Sequence, residues 1–142
     1  MEPITDYTPW DEVEGWSGNT DIENYGRFRE VMDYYGYQWE DVKVTTEDGY
    51  ILTMFHITGK VGSGSLTVDK PPILISHGMM CDATSWIEDI KRYGGESLPF
   101  QLQLAEEGYD VWLMNQRGTW YSMEHETLDA AVDEQYWLFD ST

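Results

Sequence analysis

The chain has 142 residues and a mass of 16.5 kDa, the size of one domain, and its 41% apolar and 15% aromatic residues suffice to build a core. Eight Lys and Arg stand against 27 Asp and Glu, a formal charge of −19 that repels phosphate backbones and anionic membrane surfaces, so no nucleic-acid partner is expected. No run of about 18 apolar residues exists, and no transmembrane helix is expected.

Residues 1–20 mix Pro, Gly, Asp and Glu with isolated aromatics (Tyr7, Trp10, Trp16) and read as an acidic aromatic arm ahead of a unit spanning 21–142. The start, Met1-Glu2-Pro3-Ile4-Thr5-Asp6, lacks the basic and then apolar stretches of a signal peptide. On that reading the protein stays inside the cell, or an export segment lies outside this sequence. Asp21 is placed to cap a helix reaching Tyr35, on which Phe28, Val31, Met32 and Tyr35 form one apolar stripe. Gly36 then supplies a left-handed stop.

From Trp39 the period changes. Two β-rich runs, through Val42–Val44 and Ile51–His56, flank Thr46-Glu47-Asp48-Gly49, and Asp-Gly between extended runs predicts a hairpin. Lys60–Lys70 is a polar, Gly/Ser-rich connection. It leads to Pro72-Ile73-Leu74-Ile75, an unbroken apolar run of the kind found inside a parallel sheet. Helical segments are expected at Ala83–Ile90 and at Leu98–Glu107, the second with Ser97 as its N-cap and Gly108 as its stop. Tyr109–Met114 reads as the next strand, so residues 72–114 form a βαβ unit and the fold class is α/β. A short helix is expected near Leu128–Phe139.

The lone Cys81 cannot form an internal disulfide and reads as a small, partly buried side chain. The sharpest local feature is Ile73-Leu74-Ile75-Ser76-His77-Gly78-Met79-Met80, a strand ending at His-Gly with a loop leading into a helix. Taken alone, a strand-end turn with His77 hydrogen-bonded inside it accounts for this pattern. A serine nucleophile on a G-x-S-x-G elbow is not found. Gly62-Ser63-Gly64-Ser65 has the wrong spacing, and Gly95-Glu96-Ser97-Leu98-Pro99 has Pro where the second Gly belongs. His56 reads as a satisfied, half-buried strand imidazole, and His125, between Glu124 and Glu126, as exposed. No histidine pair has metal-ligand spacing, so neither a metal nor a cofactor is expected. The many carboxylates read as a solvated face, since nothing selects two of them as a glycosidase pair.

The succession Val44-Thr45-Thr46-Glu47-Asp48-Gly49-Tyr50-Ile51-Leu52, His77-Gly78, Trp86, Gly108-Tyr109-Asp110-Val111-Trp112, Asn115-Gln116-Arg117-Gly118, Tyr121-Ser122 and His125, in this order, resembles the N-terminal portion of the acid lipases. These are the gastric and lysosomal lipase family of α/β-hydrolases, and the resemblance covers about residues 25 to 140. It implies the N-terminal half of an α/β-hydrolase sheet, a β-hairpin plus a βαβ unit, incomplete without further strands. Met79 falls where the family's oxyanion hole takes a backbone N–H, in place of the usual Leu, and a main-chain donor survives that exchange. His77 and Gly78 match the turn that presents it. Arg117 and Gly118 match the Asn-x-Arg-Gly segment after the fourth strand and read as structural, with Arg117 paired to a carboxylate. Trp86, with Trp112, Trp120 and Trp137, reads as core or cleft wall, sugar stacking being the lesser alternative.

The family's nucleophile elbow would follow a fifth strand, beyond Thr142, with its acid and histidine later still. These residues are therefore expected to carry no catalytic triad and to be inactive by themselves. Three functions stay open: a piece of a lipase-like ester hydrolase, a non-catalytic interaction subunit derived from one, and a lipid-binding module. The implied partner is another polypeptide completing or covering the sheet, with a lipid ester bound if complemented. The family's setting is usually secretory or lysosomal.

Overall fold

The computed structural model describes residues 25–62, 69–86 and 98–139. The 1–20 arm, the Asp21 cap, most of the Gly/Ser-rich connection, the second half of the Ala83–Ile90 segment and Ser97 lie outside the described residues.

Helix α1 (Gly26–Tyr35) starts after Tyr25, which stands in the left-handed region at φ 55 and makes no side-chain cap. Gly36 stops it at φ 72, its N–H returned to the Asp33 and Met32 carbonyls. Strands β1 (Tyr37–Thr45) and β2 (Tyr50–Lys60) pair antiparallel from Thr45↔Ile51 outward to Tyr37↔Lys60, with an irregularity at Gln38/Trp39. At the turn Gly49 has φ +91, and a Cβ there would lie 2.9 Å from the His125 ring. Both backbone freedom and lack of a side chain are therefore needed at this position.

Strand β3 (Pro72–Ser76) and strand β4 (Asp110–Met114) are parallel, in register from Pro72↔Asp110 to Ser76↔Met114. Between them lie a 3-10 turn at Ala83–Trp86 and helix α2 (Phe100–Glu106). Pro99, not Ser97, occupies the cap position of α2. Its buried face is also narrower than the apolar spacing suggested: Leu102 and Ala105 are buried while Phe100 is exposed. The order across the sheet is β1-β2-β4-β3, and the two-residue strand β5 (Glu124–His125) pairs with β2. This mixed five-stranded sheet with few helices has the expected hairpin-plus-βαβ architecture.

The Ile73–Ile75 run has interior composition yet is the end strand here, as expected for a sheet incomplete without further strands: β4 takes the place between β2 and β3, and Leu74 is 56% exposed. Among the described residues its outer edge is unpaired. Near the C-terminal end, only a 3-10 turn at Glu134–Trp137 forms where a helix over Leu128–Phe139 was expected. The Asp133 carboxylate accepts from the Asp129 N–H (2.7 Å) and the Asp129 carboxylate from the Ala131 N–H (2.8 Å), and such local bonds compete with a helical ladder.

One face of the sheet carries the core. Phe28 of α1 stacks on Phe55 of β2 at 4.0 Å and meets Trp39 edge-on at 4.8 Å, with Val31, Met32, Ile57, Val111 and Leu113 closing around them. Pleating sends the alternate residues to the opposite face. There Glu40, His56, Trp112 and Leu74 stand in one row across β1, β2, β4 and β3. At the Tyr37 end, burial and then the Glu106 carboxylate push the Tyr37 hydroxyl above its ordinary range. In return that hydroxyl, followed by Lys60, holds Glu106 below the usual carboxylate range.

Gln101 of α2 is fully buried, and among the described residues neither its amide oxygen nor its amide nitrogen has a hydrogen-bond partner. An unsatisfied buried amide costs about 1–3 kcal/mol. Gln101→Leu, of similar volume, is expected to raise the urea midpoint at unchanged m-value, by about 1 kcal/mol or more of stability.

Candidate functional site

Parallel pairing of β3 and β4 brings their carboxyl ends side by side, so the loops 77–82 and 115–120 open at the same end of the sheet. That end is where open α/β sheets place ligands. His77 is buried and holds the two loops together: its Nε2 accepts the Gln116 backbone N–H (3.0 Å), which leaves Nδ1–H to donate to the Gly78 carbonyl (2.8 Å). The Gln116 side-chain amide adds a bond to Ser76 Oγ at 3.0 Å.

Residues 78–81 form a β-turn closed by the Cys81 N–H on the Gly78 carbonyl (3.2 Å). Its left-handed residue is Met80 (φ 61), not Gly78, and the space where a Gly78 Cβ would project is open to at least 4 Å. Met79 and Met80 are almost wholly exposed, and the Met79 N–H meets no acceptor among the described residues. Cys81 is exposed, contrary to the expected partial burial, because it sits on the outer leg of this turn. Asp82 ends the loop by accepting the Thr84 N–H (2.8 Å) and the Thr84 hydroxyl, which starts the 3-10 turn.

Beneath the turn lies a polar knot that the residue spacing did not single out. Asn115, fully buried, accepts the Ala83 N–H at Oδ1 (2.9 Å) and donates from Nδ2 to the Thr53 carbonyl (3.0 Å). Ser122 donates to the Asn115 carbonyl (2.9 Å) and accepts the Thr53 N–H (2.8 Å). The strand β2, the end of β4 and the loop after β3 are thereby fixed relative to one another. An Asn directly after an apolar strand was the available signal. Among the described residues no serine hydroxyl bonds an imidazole, and no three His, Cys, Asp or Glu converge as a metal would need.

Arg117 points away from the Met79 turn. Its guanidinium bonds Asp48 of the hairpin turn at 2.5 Å, lies 4.4 Å above the Tyr50 ring and reaches Phe139 at 5.7 Å. Gly118, at φ +77, lets Phe139 and Trp137 come within 3.0 and 3.1 Å of its absent Cβ. First the Thr46 hydroxyl and then Arg117 hold the Asp48 carboxyl below the usual carboxylate range. His125 is not a free surface ring: it donates from Nε2 to the Asp48 carbonyl (3.0 Å) and accepts the Thr127 and Leu128 N–H groups at Nδ1 (both 3.1 Å). Trp112 is covered by His56, whereas Trp120 and Trp137 are exposed rather than core residues, and the Trp86 side chain lies outside the described residues.

Between the two loops is a cleft of about 340 Å³ lined by Met80, Cys81, Asp82, Gly118, Thr119, Trp120 and Met123. Residues 28–90 match the family model of a partial α/β-hydrolase lipase region. The chain is similar to the N-terminal portion of the acid lipases. It is 37% identical over 121 residues to human lipase member K, covering 85% of this chain and 29% of that protein. Human lysosomal acid lipase/cholesteryl ester hydrolase is 35% identical over 119 residues, 84% of this chain and 28% of the relative. Human lipase member N is 39% identical over 110 residues, 78% and 26% of the respective lengths. The chain thus spans less than a third of the length of the relatives it matches.

Two measurements test the loop geometry. Met80→Gly removes a side chain from a left-handed residue. About 1–2 kcal/mol of steric cost is relieved against about 0.4–1 kcal/mol of added unfolded-state entropy. A small net rise in stability, up to about 1 kcal/mol, is expected on urea denaturation. For Asp48, whose carboxyl is depressed in the folded state, the stabilisation is present above the ordinary carboxylate range and lost as pH falls through the folded value. Wild type should therefore melt above Asp48→Asn at neutral pH, and the two melting curves should converge on acidification.

Proposed function

We propose that this chain is the N-terminal part of a lipid ester hydrolase, supplying one oxyanion donor and one wall of the acyl cleft but not the nucleophile. The observation that carries the reading is the Met79 N–H, unengaged on a turn that His77 and Asn115 hold rigid at the carboxyl end of a parallel strand. A backbone donor fixed before reaction is what stabilises a tetrahedral oxyanion, since no reorganisation is needed when charge develops. Met80, Trp120 and Met123 give the adjoining cleft an apolar wall suited to an acyl chain. The relative named for cholesteryl ester hydrolysis makes a neutral lipid ester the class of substrate to try first.

Chemistry needs an attacking alcohol and a proton relay, and the 142 residues contain no G-x-S-x-G elbow. The strand that carries such an elbow would add to the outer edge of β3, where β4 leaves one side of the ladder unpaired among the described residues. That exposed edge also favours a second reading, a non-catalytic interaction subunit that uses β3 to bind its partner.

Purification with associated chains, followed by labelling with a serine-directed fluorophosphonate, separates the two readings. The hydrolase reading expects a labelled partner bearing G-x-S-x-G, fatty-acyl ester turnover by the complex, and none by the isolated chain. Met79→Pro, which deletes the N–H, should lower kcat of the complex about 10²–10³-fold. Turnover by the purified chain alone, or an unlabelled partner without an elbow serine, counts against it.

A further inference from the structure

The three histidines differ in one respect. His77 accepts a backbone N–H at Nε2, and His125 accepts two at Nδ1, so in each ring one nitrogen serves as an acceptor. His56 has only carboxylates on both sides: Nδ1 lies 2.8 Å from Glu40 Oε1 and Nε2 lies 2.6 Å from Asp110 Oδ1. An imidazole can donate at both nitrogens only as the cation. The second Asp110 oxygen already accepts the Trp112 indole N–H at 2.9 Å. The ring also lies flat on Trp112, at 3.8 Å and 7°, the position from which an aromatic face attracts a positive charge.

We infer that His56 is a proton-operated clamp across the sheet, linking β1, β2 and β4 as an imidazolium and giving up one of its two carboxylate contacts when it loses its proton. The neutral ring keeps a single N–H. It can hold Glu40 or Asp110, and the other carboxylate then faces a lone pair. Asp110 is the better shielded partner, its side chain 16% exposed against 58% for Glu40, so the β1 contact is the one that opens. The charged groups facing the ring are Glu40 from β1 and Asp110 from β4; β3 brings uncharged Pro72 and Leu74 opposite Asp110 and Trp112, and along β2 the same-face neighbours are Met54 and Thr58. Nothing in this depends on the ester-hydrolase reading, and its readouts involve no turnover.

The sign follows from linkage. Stabilisation by the cation is present at low pH and is lost as pH rises through the range in which imidazole gives up its proton. The experiment is the folded-to-unfolded ratio of the full chain across about pH 5 to 9, for wild type and for His56→Arg, a permanent cation with donors for both carboxylates. Relative to His56→Arg, wild type is expected to lose about tenfold in that ratio on the alkaline side. Glu40→Gln should flatten the difference. Long-range 1H–15N spectra of wild type, assigned with His56→Gln, should show two donor-type nitrogens on His56 on the acid side and a pyridine-type nitrogen on the alkaline side. Parallel pH profiles for wild type and His56→Arg, or a pyridine-type nitrogen on the acid side, would overturn the inference. Should the Arg variant not fold, the wild-type spectra decide it.

Discussion

The position of β4 between β2 and β3 governs the rest of the molecule. Paired antiparallel to β2 and parallel to β3, this five-residue strand joins the local hairpin to the βαβ unit and converts two supersecondary pieces into one sheet. Its carboxyl end, Asn115, is where hydrogen bonds from β2, from the loop after β3 and from Ser122 meet. A buried network of this kind is stabilising only when every member is satisfied. Asn115 uses its amide oxygen, its amide nitrogen and its backbone carbonyl, which is why the Met79 turn above it has a fixed position despite its exposure.

Charge is managed by placement rather than by balance. With 27 acidic groups and eight Lys and Arg, most carboxylates have no cation to meet. Three of the described cations pair across elements that are distant in sequence. Lys43 of β1 meets Glu124 of β5 at 2.5 Å, Lys60 of β2 meets Glu106 of α2 at 2.9 Å, and Arg117 meets Asp48 across the hairpin turn. Exposed pairs contribute little individually. Their value here lies in position, because each joins two elements that are far apart in sequence.

Features set by local chemistry were legible in the residues. Gly36 ends α1 and Gly49 turns the hairpin because only a residue without Cβ adopts those backbone angles cheaply, and both positions were identifiable from spacing. The β3–α2–β4 order followed from the alternation of apolar runs. Features set by tertiary context were not. Ile73–Ile75 has the composition of an interior strand, but which strand is central depends on where β4 inserts, and no local pattern encodes that. His125 lies among glutamates and looks solvated, yet the hairpin turn folds back and gives it the Asp48 carbonyl. Trp137 carries the bulk of a core residue but lies exposed in the 3-10 turn, whereas Trp120 stands on the cleft wall, the alternative that the sequence left open. In the site, His77 and Gly78 were marked by the strand-end pattern, whereas the left-handed Met80 carries no such mark, since methionine rarely adopts that conformation.

The two faces of the sheet are built on different principles, and this explains why charge appears in a strand that is otherwise apolar. The face toward α1 is closed by Phe28 on Phe55 and needs no polar group. On the other face no described helix lies over the row Glu40, His56, Trp112 and Leu74, and burial alone therefore gives less there. A histidine that bonds both neighbouring strands and stacks on Trp112 links three strands at a point where packing from above is thin. An aliphatic residue at position 56 would leave Glu40 and Asp110 facing each other across the ladder without a donor between them. The polar row thus substitutes for cover, and the price is sensitivity to the proton that makes it work.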